Sequence, residues 1–377
     1  MKKALVVFLI LAVAGGLFAE ISWSGNAQTG IGIGFDDTDA DPILGMVRNR
    51  GENGLQLQFV MGGKVATENY GTFTGNIGFR GSYGRFGGAD GAATMAWIED
   101  PRLTWAVPGP LGLTLALGNG GPGGTGTMGD IDTNLDAGGG WGLAAQLKPV
   151  AGLTLAGSAI YGAAQKKLDE LVYAFGAKYS AADLLDVAAN VQFNQTKPDK
   201  EQLNFAAGVS ILPIVKALGF SALAFDVRTN NGIGAASSDI SVGERIGFNA
   251  GDLSLLLRAN QLFWGGDNDA AHDFIPMKFN LEVGYKVSDL VKVGIDGRYI
   301  IGNKPAFNYR NAGEINGAGW NKDKSGLGIS PYVQFSVGGP TILLGYNLQK
   351  EMTDGAAPAA GAPTLQHLIY GTIHVNF

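Results

Sequence analysis

Apolar and polar residues alternate along most of the chain from residue 20 onward. In one such stretch Leu55, Leu57 and Phe59 alternate with Gln56 and Gln58. Because successive side chains of a strand point to opposite faces, a period of two predicts β-strands with one apolar and one polar face. The pattern predicts about eighteen strands, with about sixteen as the alternative. They cover residues 21–35, 55–62, 72–80, 94–106, 111–117, 141–148, 153–161, 171–179, 185–194, 203–211, 219–228, 240–248, 253–263, 277–286, 291–301, 327–337, 341–348 and 367–377.

The connections between these strands fall into a short and a long class. The short ones contain Gly, Pro and Asp, which favour turns; they lie at residues 108–110, 149–152, 180–184, 213–217, 250–252, 288–289 and 338–340. The long ones lie at residues 36–53, 119–140, 229–239, 264–276, 302–326 and 349–366. Short turns at one end and long loops at the other are typical of membrane barrels. The sequence therefore predicts an all-β protein forming a single transmembrane antiparallel β-barrel, with short periplasmic turns and long extracellular loops.

Residues 1–19 have the pattern of a secretory signal peptide. Lys2 and Lys3 precede an apolar run, and Ala19 is a small residue at the expected cleavage point. The run is shorter than the roughly twenty residues of a transmembrane helix. We therefore expect a cleaved signal peptide over residues 1–19 and a barrel over residues 20–377, located in the bacterial outer membrane with both termini in the periplasm.

Composition agrees with this class. Charged residues make up 16% of the chain, against about 25% in an ordinary soluble domain. A soluble sandwich of two sheets is the alternative, but it rarely combines an apolar face in every strand with so few charges. The chain has no cysteine, so its stability cannot come from disulfides. The formal charge of -6 and the lack of a basic tract argue against a nucleic-acid partner.

The last predicted strand ends in a distinctive pattern. Ile373, Val375 and Phe377 share one face, and Thr372 and His374 lie on the other. These residues resemble the closing strand of outer-membrane β-barrel proteins, in which a terminal aromatic after alternating apolar residues is read by the barrel assembly machinery. The resemblance implies that Ile373, Val375 and Phe377 form this assembly signal. A strand that closes the barrel must pair with the first strand.

The polar face of each strand is predicted to point into the barrel. A barrel of about sixteen to eighteen strands encloses an aqueous channel. Basic residues predicted to line it are Arg80, Arg102, Lys148, Lys178, Arg228, Arg245, Arg258, Lys278, Lys286, Lys292 and Arg298. Acidic residues predicted there are Asp100, Asp186, Asp226, Glu282 and Asp296. Basic rings in a channel favour anions, so we expect a mild anion preference; the alternative is that the charges pair across strands and only solvate the wall.

Two acidic residues oppose this assignment of faces. Glu99 and Glu244 fall on the apolar parity, where a charge costs up to a few kcal/mol at mid-membrane. A β-bulge beside Pro101 would move Glu99 to the other face. A contact between subunits is the other explanation.

The segment 119–140 lies between the fifth and sixth predicted strands and is the third outer loop from the N-terminus. Here the chain resembles trimeric general porins, in which the third loop folds into the barrel and sets acidic residues opposite a basic wall. The resemblance implies a homotrimer and a constriction with Arg80 and Arg102 on its basic side. Its acidic side would be Asp130, Asp132 and Asp136. The porin loop's own short motif is absent, and a solvated outer loop is the alternative. The first strand is also loosely similar to spirochaete porins.

Other candidate sites carry weaker signals. The acidic segments 36–41 and 267–269 have the oxygen density of calcium loops but lack the EF-hand glycine and distal glutamate. The histidines are His272, His367 and His374, and nothing in the sequence marks a catalytic partner for them. We therefore expect no metal site, no cofactor and no enzymatic activity.

These patterns together predict an outer-membrane porin. It would be a water-filled channel for passive diffusion of small hydrophilic solutes, with the lipid bilayer and the barrel assembly machinery as its other partners. The alternative is a surface-exposed adhesin or antigen whose barrel has a narrow or plugged lumen. The long loops, several of them acidic, favour this alternative.

Overall fold

The structure is a computed structural model in which part of the chain is described. The described residues are 20–37, 42–48, 52–53, 55–83, 93–119, 141–161, 171–194, 202–230, 239–265, 274–302, 322–353 and 364–376. The predicted signal peptide, residues 1–19, lies outside this part. Among the described residues no helix is long and apolar enough to cross a membrane.

The chain forms twenty β-strands. They are β1 (Glu20–Asp36), β2 (Ile43–Arg48), β3 (Glu52–Asn53), β4 (Leu55–Thr67), β5 (Gly71–Tyr83), β6 (Ala93–Ala106), β7 (Thr114–Asn119), β8 (Trp141–Leu147), β9 (Leu153–Tyr161), β10 (Val172–Ala181), β11 (Leu185–Asn194), β12 (Gln202–Ser210), β13 (Phe220–Asn230), β14 (Asp239–Ala250), β15 (Leu253–Phe263), β16 (Met277–Lys286), β17 (Val291–Ile301), β18 (Lys324–Ser336), β19 (Thr341–Thr353) and β20 (Leu365–Asn376). Apart from the short β2 and β3, they form a closed antiparallel barrel of 18 strands. The predicted all-β barrel is confirmed, and the count of about eighteen is correct.

The barrel closes where β1 meets β20. Asn26 lies opposite Asn376 and Asp36 lies opposite Gln366, so the two strands pair along most of their length. Closure gives both edges of the sheet hydrogen-bond partners, which a sheet in hydrocarbon requires. The predicted pairing of the last strand with the first is confirmed. Phe377 lies outside the described residues.

The start of β1, at Glu20, and the end of β20, at Asn376, both lie at the end of the barrel that carries the short connections, which we call the turn end. Its connections cover residues 68–70, 107–113, 148–152, 182–184, 211–219, 251–252, 287–290 and 337–340. The connection predicted as a turn at 213–217 contains a helix, α1 (Leu212–Val215), and a 3-10 helix (Lys216–Leu218). Gly219 ends it with a positive φ of 93°, a conformation that favours glycine. The opposite end of the barrel is called the loop end.

A short strand pair occupies part of the segment predicted to be one long loop, residues 36–53. β2 pairs with the loop-end half of β1, with Leu44 opposite Ile33, and β4 pairs with the turn-end half. β3 pairs with the end of β2. β2 escaped prediction because its apolar run is only a few residues long. Val47 of β2 is fully buried beside Leu368 of β20, and both side chains lie over Gly32 of β1. β2 therefore extends the wall beside β1 and shares its inward face.

A β-bulge in β6 explains one of the two misplaced glutamates. Arg102 lies opposite Asn76, but Glu99 lies opposite Gly78, so β6 contains one more residue than β5 over this interval. The extra residue returns Glu99 to the polar parity, as the bulge explanation predicted. Glu244 differs, because its strand pairs regularly on both sides of it.

The outward face is apolar and carries aromatic contacts near both ends. Phe73 and Trp105 stack near the turn end, with ring centroids 5.5 Å apart. Phe35 and His367 stack near the loop end, 4.7 Å apart. Aromatic residues at both margins of an apolar band are typical of transmembrane barrels.

Candidate functional site: the inward wall of the barrel

Alternating burial identifies the inward face of each strand. On β13, Phe225 is 43% exposed, whereas the next residue, Asp226, is 0% exposed. In a barrel the outward side chains are open to the surroundings and the inward ones are sheltered by the opposite wall and by their neighbours. Polar residues of the strands take many of the sheltered positions, such as Asn260, Asn280 and Ser330.

The inward positions of β13 to β17 carry most of the barrel's charge, and we call this surface the charged wall. Its basic residues are Arg228, Arg245, Arg258, Lys278, Lys286, Lys292 and Arg298. Its acidic residues are Asp226, Asp239, Glu282 and Asp296. The cations outnumber the acids, so this wall has a positive excess.

Three arginines of the charged wall lie in one row across adjacent strands. Arg245 is directly opposite Arg258, Arg258 is opposite Asn280, and Asn280 is opposite Arg298. We call these four residues the arginine row. Like charges directly opposite each other repel, so the row concentrates positive charge at one level of the wall.

Two of the four acids of the charged wall lie in the next row toward the turn end. Glu282 lies opposite Asp296. The Tyr332 hydroxyl donates a hydrogen bond of 3.3 Å to Glu282 Oε1, and Lys292 Nζ lies 4.0 Å from the same oxygen. Glu282 is thus engaged by its own neighbours.

The inward positions of β7 to β12 are different, and we call them the small-residue wall. Alanines recur there at Ala116, Ala144, Ala156, Ala174, Ala188 and Ala206. Among the described inward residues of these strands the charged ones are Lys178 and Asp186, both near the turn end. The two walls therefore differ in both charge and side-chain length.

Most of the predicted lining residues hold inward strand positions. They are Arg102, Lys178, Arg228, Arg245, Arg258, Lys278, Lys292, Arg298, Asp186, Asp226, Glu282 and Asp296. Arg80 is paired with Gln58, whose neighbour on β1 is the inward Asn26.

The remaining predicted residues lie at the rim of the barrel, in a turn, at the β-bulge or outside the described residues. Lys148 follows the end of β8 and is exposed in the turn. Lys286 is at the rim, 2.6 Å from Asp289. Asp100 and Pro101 together face Ile77 across the bulge of β6. Asp130, Asp132 and Asp136 lie outside the described residues, together with the segment 120–140.

Burial of the inward residues increases from the turn end toward the loop end. Lys286 is exposed at the rim of β16, whereas Asn260 and Leu262 are completely buried near the loop end of β15. On β20, Tyr370 is 3% exposed and His374 is half-buried. The turn end is the more open entrance to the lumen.

Sequence reasoning missed one buried acid and the glycines beneath two tyrosines. Asp239 was assigned to a loop, but it begins β14, is buried, and accepts a hydrogen bond of 3.1 Å from the backbone N–H of Gly265. A Cβ at Gly294 would collide with the Tyr332 ring, and one at Gly345 with the Tyr370 ring. These side chains therefore lie along the wall of the neighbouring strand. The alternation of polar and apolar residues along one strand does not indicate which glycine a tyrosine of the neighbouring strand will cover.

Two aspartates outside the strands have lowered pKa values. A hydrogen bond from the Thr364 side chain lowers the pKa of Asp37, and this contact ties the loop ends of β1 and β20 together. A hydrogen bond from Lys286, followed by its positive charge, lowers the pKa of Asp289 in the turn after β16. No cluster of three or more metal-ligating side chains occurs in the part of the chain that the structure describes.

Comparison with known proteins gives a fold. No protein-family model matches the sequence, and no curated protein matches it. Among solved structures, Pseudomonas aeruginosa OccK3 (OpdO) is 10% identical with a TM-score of 0.55, and the match covers 95% of this chain and 96% of that one. Acinetobacter baumannii OccAB4 is 9% identical with a TM-score of 0.54, covering 95% and 98%. The anion-selective porin from Comamonas acidovorans is 11% identical with a TM-score of 0.48, covering 95% and 100%.

The chain has the fold of outer-membrane porins. The match extends over nearly the whole of each porin chain, so the barrel does not correspond to a fragment of theirs. At these identities the likeness shows the fold, and the chemistry of the lumen must be read from this chain's own residues.

Proposed function

We propose that the protein is an outer-membrane porin that forms a water-filled channel for passive diffusion of small hydrophilic solutes. The observation that carries the proposal is the charged wall, a large set of ionised side chains on the inward face of a closed barrel. Charges on that face are stable only if they are hydrated or paired. A hydrated lumen bounded by an apolar outward face is the arrangement of a diffusion channel.

We further propose a mild preference for anions. The excess of basic over acidic side chains on the charged wall supports it, as does the arginine row, in which Arg245 and Arg258 are directly opposed. A positive potential in a narrow aqueous pathway raises the local concentration of anions. The effect weakens as salt rises, because the Debye length falls to about 3 Å at 1 M.

The proposed topology follows from export and from the two ends of the barrel. A cleaved signal peptide over residues 1–19 would deliver the chain to the periplasm, and the turn end would remain there with both termini. Ile373 and Val375 lie at outward positions near the turn end of β20, which supports their proposed contact with the barrel assembly machinery together with Phe377.

Planar-bilayer conductance of the purified protein tests the channel. We expect stable channels whose reversal potential in a KCl gradient indicates a higher permeability for chloride than for potassium. Absence of channels contradicts the porin, and a cation-selective reversal potential contradicts the anion preference alone.

The rival function is a surface adhesin or antigen with a narrow lumen. The complete burial of inward residues near the loop end, such as Asn260 and Leu262, favours a narrow passage. Single-channel current separates the two functions, because a closed lumen gives no current at any salt concentration.

We also propose that the protein assembles as a homotrimer, with Glu244 in the contact between copies. Glu244 lies near the middle of β14, opposite the outward residues Phe225 and Ala259. Among the described outward positions of β13 to β16 there is no basic residue. An ionised carboxylate facing lipid there is unfavourable, whereas a protein contact offers it hydrogen-bond donors.

Oligomeric mass in mild detergent tests this assembly. Glu244→Leu is expected to shift the protein from trimer to monomer, while Ile246→Leu on the same face of β14 leaves the trimer intact. A monomeric wild-type protein, or a Glu244→Leu protein that remains trimeric, contradicts the proposal.

A further inference from the structure

The turn-end part of the charged wall contains a cavity of about 220 Å³ beside the arginine row. Its lining includes Arg245, Asn249, Ser254, Glu282 and Ser221. Asn249 and Ser254 also line a second cavity of about 340 Å³ at the rim. The two cavities thus share a border and form a path from the turn-end entrance to Arg245.

Arg245 is the arginine of the row that lines the cavity. Its Nε–H is buried and finds no hydrogen-bond acceptor among the described residues, which is also true of the Nε–H groups of Arg258 and Arg298. Arg258 and Arg298 each have a contact with another group. In the described part of the chain the Arg245 Nε–H is therefore a buried donor without an acceptor, and such a donor favours a ligand that accepts its hydrogen bond.

The other charges near the cavity are already engaged. Lys292 lies 4.0 Å from Glu282, and Glu282 also accepts the hydrogen bond from Tyr332. Lys286, at the rim, is paired with Asp289 at 2.6 Å. Of the two charged residues that line the cavity, Glu282 is thus engaged by its neighbours and Arg245 supplies the positive charge.

The remaining lining suits an oxyanion. The Asn249 side chain has amide donors and Ser221 has a hydroxyl donor, both at the cavity, whereas the Ser254 hydroxyl already donates to the Gly284 carbonyl, 3.2 Å away. The cavity is smaller than the roughly 300 Å³ of a pocket for a drug-sized ligand. It is of a size for a small anion.

Two glycines keep the space beside Arg245 open. A Cβ at Gly247 would lie 2.5 Å from Ser221 Oγ. A Cβ at Gly284 would lie 2.7 Å from Ser254 Oγ and would push against Lys292. Any larger residue at either position would move the groups that line the cavity.

We propose that Arg245, with Asn249 and Ser221, forms a binding subsite for a small oxyanion at the turn-end entrance of the lumen. The planar guanidinium can hold two oxygens of one anion, which a monatomic chloride cannot reproduce. The subsite deepens the proposed porin function and rests on it for its role, which is to hold a phosphate-like or carboxylate solute at the entrance. The shared chemistry is an anionic oxygen pair.

Binding to the folded barrel in detergent micelles tests the subsite without any need for conductance. Isothermal titration uses sodium phosphate in one arm and sodium acetate in the other, with sodium chloride as the reference. We expect the oxyanion to bind wild type more tightly than chloride. Arg245→Gln should weaken this binding about tenfold, which corresponds to about 1.4 kcal/mol. The arm with the larger loss identifies the oxyanion.

Two further variants separate the site from the general charge. Arg245→Lys keeps the positive charge but loses the planar guanidinium that can bind two oxygens, so its affinity should lie between those of Arg245→Gln and wild type. Lys178→Gln removes one inward cation from the small-residue wall and should leave the affinity unchanged. Equal binding by wild type and Arg245→Gln, equal loss in Lys178→Gln, or no preference over chloride each overturns the subsite.

Conductance then distinguishes the subsite from the channel. Phosphate added on the turn-end side should block the chloride current of wild type at lower concentration than phosphate added on the loop-end side, and Arg245→Gln should remove this asymmetry. Oxyanion binding that depends on Arg245 in a protein without channels contradicts the porin and leaves the subsite standing. Channels with a symmetrical, Arg245-independent block contradict the subsite only.

Discussion

The charged wall and the small-residue wall adjoin where β12 pairs with β13, and they border one lumen but are built in opposite ways. The charged wall uses long ionised side chains over glycines of the neighbouring strand, as where Lys292 lies over Gly284. The small-residue wall uses alanines whose side chains end close to the backbone, such as Ala144 and Ala188. If the protein is the channel proposed above, the difference assigns selectivity and open area to different strands. The charged wall would supply the electrostatic potential, and the short side chains of the small-residue wall would leave space for the solute.

The largest expected effect comes from removing charge from the charged wall. In the double variant Arg245→Gln/Arg258→Gln, the permeability ratio of chloride to potassium should fall roughly twofold or more, because two directly opposed cations are lost from a confined aqueous space. Reversal potentials in a KCl gradient measure the ratio.

The matched control is Lys64→Gln/Lys178→Gln, which removes two inward cations outside the charged wall. We expect a small change. If both double variants shift the reversal potential equally, the average charge of the lumen sets selectivity and the contrast between the walls has no functional meaning.

The next effect is on stability and concerns the glycines under the long side chains. Gly294→Ala places a Cβ against the Tyr332 ring, and the displacement of that ring should lower the free energy of unfolding by about 1–3 kcal/mol. Urea unfolding in liposomes measures it.

Gly297 on the same strand provides the control, since a Cβ there would meet no atom closer than 3.9 Å. Gly297→Ala should be neutral. If the two substitutions lower the free energy of unfolding equally, the Tyr332 ring has room to move and Gly294 is not required for its packing.

The smallest effect is a pH dependence at the rim of the charged wall. The pKa of Asp289 is lowered in the folded protein, so its contribution to stability is present above the unfolded-state pKa and is lost as pH falls through the folded-state pKa. In the same acidic window Lys286 loses its partner, and anion preference should rise slightly. Both side chains are largely exposed, which keeps the effect small.

Asp289→Asn should reproduce this rise at neutral pH and abolish the acid-induced change. Reversal potentials at pH 7 and in the acidic window provide the measurement. An acid-induced change of undiminished size in Asp289→Asn assigns it to another carboxylate.

The sequence was sufficient for the barrel because each strand has two chemically different faces. In Leu55 to Phe59 the parity of the apolar residues alone indicates which side meets lipid, and the same holds for the closing strand around Ile373. Alternation is a local property, so it survives in a single sequence. The all-β class, the closing pair of strands and the inward placement of most charges follow from it.

The features that the sequence did not reveal depend on register or on contacts between distant segments. Two outcomes for Glu99 were open until the position of the bulge was known, and Pro101 was the only local sign of it. That Arg245 faces Arg258 directly depends on the length of one turn, where a shift of one residue would change every pair. The hydrogen bond from Tyr332 to Glu282 beside Arg245 depends on the relative placement of three strands, β18, β16 and β14.

The seam between β1 and β20 has a consequence for how the barrel folds. Most neighbouring barrel strands follow one another along the chain, but at the seam Gln28 and His374, whose ring nitrogen lies 3.4 Å from the Gln28 amide, are 346 positions apart. Closing a free loop of that length costs about 3 kcal/mol more than closing one of about ten residues. The sequential hairpins should therefore form first and the seam last, so that this one pairing of high contact order limits the folding rate.

Contacts that exist only at the closed seam then act mainly on the rate of opening. The hydrogen bond from Thr364 to Asp37 is such a contact, and so is the burial of Val47 of β2 beside Leu368 of β20. A contact absent from the folding transition state slows unfolding and leaves the folding rate unchanged. These contacts at the loop end of the seam are therefore expected to slow the unfolding of the closed barrel.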